Sequence, residues 1–92
     1  MSKITIDEFT KRAIHRAGID LYTVEDALML IELCRQASLP ILGIDAFELY
    51  GDKIQPSMAN SIDLSSEKEC YDIAIKFLVD RSNLKFVYEI VY

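Results

Sequence analysis

The sequence predicts an α+β domain of two layers: three helices against a small, mainly antiparallel three-stranded sheet, in the order α-α-β-β-α-β. Three observations carry this expectation. Helix-start signals of the form Thr-x-x-acid occur twice in the first third of the chain, at Thr5/Glu8 and Thr23/Asp26. The β-rich run "ILGIDAFELY" meets a tight turn at "YGDK". A helical stripe of Cys70, Ile73, Ala74, Phe77 and Leu78 then leads into a second β-rich run, "LKFVYEIVY". At 92 residues the chain (1–92) is expected to be one domain with little stability to spare.

Thr5 and Glu8 have capping-box spacing and Gly18 is a natural stop, so residues 6–17 are expected to form the first helix. Phe9, Ala13, Ile14 and Ala17 make its apolar stripe; Lys11, Arg12, His15 and Arg16 make a basic one. The second helix begins after Thr23 and stops near Ser38, because the residue before Pro40 avoids the helical region. Its interior, "ALMLIELC", is apolar nearly all round, which assigns Met29 to the core.

With Gly51-Asp52 as the loop, Tyr50 opposes Lys53, Leu49 opposes Ile54, Glu48 opposes Gln55 and Phe47 opposes Pro56. Phe47, Leu49, Ile54 and Pro56 then share one face, and Glu48, Tyr50, Lys53 and Gln55 the other. Pro56 falls at a non-hydrogen-bonded pair, which puts residues 53–57 at a sheet edge. A third helix starts at Ser65 or Ser66 and runs to about Arg81. The last strand has Phe86, Tyr88, Ile90 and Tyr92 on one side, Lys85 and Glu89 on the other, and pairs with residues 41–50. Strand order 2-1-3 follows, with the helices on the Phe47/Leu49/Phe86 face. Strict alternation puts Asp45 on that core face. Three readings compete, in this order: a bulge near Gly43, a helix cap, or a functional carboxylate.

No run approaches the roughly 18 apolar residues of a membrane-spanning helix, and "MSKITIDEF" lacks a signal peptide's layout. A cytoplasmic location is expected, with Cys34 and Cys70 as reduced core thiols. The net charge is −5, and residues 37–80 hold eight acids against three bases. Such a field repels nucleic acid and draws cationic partners; it is also an ordinary means of staying soluble.

His15, Cys34 and Cys70 are too scattered for a metal clip. Nothing local activates either thiol. Asp45 and Glu48 fall on opposite faces of a regular strand, and three isolated glycines cannot line a phosphate loop. No catalytic, cofactor or metal site is expected, and the chain is read as a non-enzyme. Protein binding remains. The outer sheet face presents Leu42, Ile44, Ala46, Glu48, Tyr50, Gln55, Val87 and Glu89, apolar residues ringed by carboxylates. A partner competes for that face with the first helix or a second copy of the chain.

The stretch "AFELYGDKIQPSMANSIDLS" resembles the small immunity proteins of bacterial polymorphic-toxin and contact-dependent inhibition systems. The similarity spans about Ala27 to Tyr92. It follows a helix leading into "LPILGIDAF", the hairpin "YGDK", the segment "IQPSMANS" and the terminal strand "FVYEIVY". The resemblance implies a protein that binds and neutralises a cognate toxin, often a basic nuclease or another cytosolic enzyme. Glu48, Tyr50, Asp52, Gln55, Asp63 and Glu67 are the expected contact set. The alternative is a small non-catalytic adaptor or regulatory domain that homodimerises through its sheet.

Overall fold

Thr5 caps the first helix as its spacing requires, its hydroxyl accepting from the Glu8 backbone N–H at 3.1 Å. The helix nevertheless lasts one turn. The computed structural model describes residues 5–92; in it α1 (Ile6–Phe9) runs into a 3-10 turn at Thr10–Arg12. The chain then turns extended, and β1 (Ile14–Arg16) pairs antiparallel with β2 (Ile19–Leu21). The expected helix over 6–17 is therefore corrected to one helical turn followed by a hairpin. Its loop residues Ala17 and Gly18 have φ of 52° and 76°, the two left-handed positions of a type I′ turn. The hairpin places Ile14, Ile19 and Leu21 on one side, where they pack with Phe47 and Val87. A helix cannot align those three residues, and their burial decides between the two periods.

α2 (Val24–Gln36) starts where Thr23 accepts from the Asp26 N–H at 3.3 Å. It ends with Ser38 left-handed (φ 58°) and the Leu39 N–H donating to the Cys34 carbonyl at 2.8 Å, a Schellman closure. Met29, expected in the core, is 52% exposed, because the buried stripe is Ala27, Leu30, Ile31 and Cys34. Cys34 and Cys70 are buried free thiols, and burial pushes the Cys34 thiol up to about 11.

β3 (Gly43–Tyr50) lies between β4 (Lys53–Asp63) and β5 (Val87–Val91), all antiparallel, in the order expected from sequence. The turn register matches pair for pair, from Tyr50↔Lys53 to Phe47↔Pro56. Gly51 has φ 62° while Asp52 is not among the positive-φ residues, the sign pattern of a type II′ turn. β4 outruns its expected end at residue 57 because it resumes pairing beyond an interruption. Ile44 pairs with Ile62 and Ala46 with Ser57, so Met58, Ala59, Asn60 and Ser61 oppose Asp45 alone. The irregularity thus falls opposite Asp45, two residues from Gly43 and close to where it was expected, with the extra residues contributed by β4. Gly43 has a separate duty: a Cβ there would meet the Ile62 carbonyl oxygen at 3.1 Å.

α3 (Cys70–Asp80) starts later than the Ser65/Ser66 signal. Asp63 and Leu64 divert the intervening residues into turns, with the Ser65 N–H on the Asp63 carboxylate at 2.9 Å and the Glu67 N–H on the Leu64 carbonyl at 3.0 Å. α2 and α3 cover one face of the sheet, where Ile44, Ala46, Tyr88 and Ile90 meet Leu30, Ile31, Ala74 and Leu78. Of the helix-facing set named from sequence, Phe86 does pack against this core, whereas Phe47 and Leu49 do not. Phe47 and Val87 lie on the opposite face, under the β1–β2 hairpin, while Leu49 is partly exposed. Alternation was right; the strand is apolar on both sides, so it did not reveal which side the helices take. Ile44 and Ala46, expected outside, are fully buried. The free edge of β5 is met by Tyr22, which exchanges two backbone hydrogen bonds with Tyr88, each 2.8 Å.

Among the described residues, no helix is long and apolar enough to cross a membrane.

Candidate functional site

Glu48, Tyr50, Asp52 and Gln55 lie together at the tip of the β3–β4 hairpin, beyond the reach of the helices. Period-two alternation puts Glu48 and Tyr50 on one face, and the register sets Gln55 beside Glu48 and Lys53 beside Tyr50. Tyr50 is 56% exposed, and Asp52 and Gln55 are also exposed. The Tyr50 hydroxyl donates to Glu48 Oε2; that bond, and the negative charge behind it, raise the phenol's pKa above its ordinary value. The bond sets the exposed phenol beside its own glutamate at the tip. Behind it, Glu48 and Leu49 form a shallow cleft of about 320 Å³ with Leu84, Lys85 and Phe86.

Asp63 and Glu67 do not join this group. Asp63 pairs with Gly43 at the far end of β3, seven strand steps from Tyr50, or roughly 20 Å. Its carboxylate is held below the usual range by the Ser65 backbone N–H. The expected contact set is thus split between the two ends of one ribbon.

Asp45 is half-buried and stands opposite Glu89 on β5. It lies on the face away from the helices, so neither a core position nor a helix cap describes it. Glu89 is raised above the ordinary glutamate value, first by burial, then by Asp45 and Asp20. Asp20 meanwhile holds His15 at 2.6 Å. Among the described residues, no group of three or more His, Cys, Asp or Glu is placed to hold a metal ion.

Two features escaped the sequence reading. One is the side-chain network of the β4 bulge, where Ser61 Oγ accepts from the Ala46 N–H (3.2 Å) and donates to the Ser57 carbonyl (3.1 Å). Asn60 takes the Arg81 Nε–H at 3.2 Å, and Arg81 lies 3.8 Å over the Phe77 ring. This network presents Met58, 80% exposed, on a braced loop. The sequence signal was the cluster of small polar residues in "SMANS". The other is a groove of about 700 Å³ between α1 and α2, lined by Ile6, Met29 and Leu33 among others.

No family model, curated protein or solved structure matches the chain.

Proposed function

We propose that this protein is a non-catalytic binding domain that neutralises a cognate bacterial toxin in the cytoplasm, as an immunity protein does. The observation that carries the reading is the hairpin tip, which holds an exposed tyrosine hydrogen-bonded to its own glutamate and flanked by Asp52 and Gln55. An aromatic group held in one rotamer loses little entropy on binding, which is what interface anchors require. The net charge of −5 suits a basic partner by speeding encounter.

The test is genetic and then biophysical. A toxin encoded beside this chain's gene is expressed alone and together with it, and growth is restored only by co-expression. In the purified pair, Tyr50→Ala is expected to weaken binding by about tenfold or more, the scale of an aromatic anchor. Unchanged affinity for both Tyr50→Ala and Asp52→Lys removes the tip from the interface. Failure to restore growth removes the toxin reading.

A further inference from the structure

The β1–β2 hairpin and the three-stranded sheet share one backbone contact, the exchange of two hydrogen bonds between Tyr22 and Tyr88. The antiparallel register set by that pair puts Leu21 opposite Glu89 and then Asp20 opposite Ile90. Both residues of this next bonded pair aim their backbone groups at the seam. In the hairpin, Arg16 and Ile19 flank the two-residue loop as a bonded pair, so Asp20, like Tyr22, directs its N–H and C=O away from β1. On β5 the bonded partners of β3 are Val87, Glu89 and Val91, because Tyr88 serves Tyr22; Ile90 therefore also directs its N–H and C=O outward. The structure nevertheless records no backbone bond between Asp20 and Ile90. The strands part instead, leaving a cleft of about 240 Å³ with Ile19 and Asp20 on one side and Glu89, Ile90 and Tyr92 on the other.

We propose that this seam is a pH-sensitive zipper: ionised carboxylates hold it parted beyond Tyr22 at neutral pH, and on acidification Asp20 and Ile90 exchange backbone hydrogen bonds, making one sheet in the order β1-β2-β5-β3-β4. The charges that face the seam come from every strand around it. Glu89 stands on β5, Asp45 opposite it on β3 and Asp20 on β2. On β1, His15 bonds Asp20 at 2.6 Å, and Arg16 donates to the His15 carbonyl at 2.8 Å. Among the described residues, neither Glu89 nor Asp45 has an ion-pair partner. Tyr22 and Tyr92 also line the cleft, and burial first of all holds both phenols above the usual tyrosine value, so they stay neutral throughout. Closure brings Asp20 toward Glu89, and like charges across paired strands oppose it. Glu89 takes up its proton above the ordinary glutamate value, because of burial first and then Asp45 and Asp20. A proton on His15 offsets Asp20 and acts in the same direction. The closed form pairs two backbone donors and two acceptors that the parted strands leave to water. This device does not involve the hairpin tip and does not rest on the toxin reading.

Amide hydrogen exchange of the full chain, followed by NMR at about pH 7 and about pH 4 and expressed as protection over the unstructured rate, reads the seam. Protection at Asp20 and Ile90 is expected to rise about threefold on acidification, the scale of relieving a like-charged cross-strand pair. A new contact between the Leu21 and Glu89 α-protons accompanies it, since those residues form the close, non-bonded pair of the closed seam. Glu89→Gln shows the raised protection already at neutral pH and responds little to acid, while Glu48→Gln, at the tip, behaves as the wild type. Ile31, fully buried in α2, gauges global stability in the same spectra. Three results overturn the proposal: Asp20 and Ile90 already as protected as Tyr88 at neutral pH, no rise in either acid or Glu89→Gln, or a rise matched at Ile31, which is a gain in global stability and not a closure.

Discussion

Ser61 carries its hydroxyl into the gap that the bulge opens between β3 and β4. It accepts from Ala46 N–H and donates to Ser57 C=O, so one side chain serves a buried donor and a backbone acceptor that a regular ladder would pair directly. Ser61→Ala is expected to cost roughly 1 kcal/mol, lowering Tm by about 4–8 °C in a domain of this size and speeding hydrogen exchange at Ala46. Exchange at Ala46 that matches the wild type would show that the hydroxyl is dispensable. A second single-residue effect runs in the opposite direction. Glu89 is partly buried and sits beside Asp45 and Asp20; burial first, then those two charges, make its carboxyl more basic folded than free. The folded state therefore keeps a proton that the unfolded chain has released, and stability falls as pH rises from the ordinary glutamate range through the folded pKa. Glu89→Gln is expected to raise stability at neutral pH by roughly 0.5 kcal/mol, the scale of a like-charged cross-strand pair, and the gain disappears below about pH 4. Urea midpoints at the two pH values check the sign, and an equal gain at both contradicts a charge origin.

Between residues and elements, the first twenty positions show where sequence legibility ended. Ala13, Ile14 and Ala17 fit a helical stripe, while Ile14, Ile19 and Leu21 fit a strand pair, and only the long-range contact with Phe47 and Val87 separates the two. Ala17 provides a test, because the two structures give opposite signs. Inside a helix Ala→Gly costs about 1 kcal/mol. At φ 52° glycine is the better residue, so Ala17→Gly is expected to stabilise by roughly 0.5–1 kcal/mol. By contrast Leu21→Ala, at a fully buried site, is expected to cost about 2–4 kcal/mol. Thermal unfolding of both variants reads the hairpin directly. The β3–β4 register was legible to the residue because Gly51 and the two-residue period fix it locally. The third helix was displaced because the signal at Ser66 competed with the Asp63 and Leu64 turns. The hairpin tip of the candidate site was legible for the same local reason as the register. The separation of Asp63 and Glu67 from it was not, since β4 had been ended at residue 57 and the bulge that prolongs it has no local periodicity.

At the scale of the whole molecule, the arrangement of edges governs how copies meet. Tyr22 meets β5's outer edge at Tyr88, and β4 is the other edge of the three-stranded sheet. Near the tip, the β4 groups that point away from β3 belong to Ile54 and Pro56, because Lys53, Gln55 and Ser57 face the partner strand. Pro56 has no N–H to offer there, and the bulge twists the ribbon a few residues later. Replacing Pro56 by valine keeps the inward ladder intact and restores one outward donor beside Ile54. The expected outcome is a monomer of unchanged Tm that nevertheless scatters light and binds thioflavin after days at high concentration, while the wild type stays clear; two equally clear samples contradict it. If that outcome is met, a single missing hydrogen atom on the ribbon's rim is what keeps the concentrated protein clear.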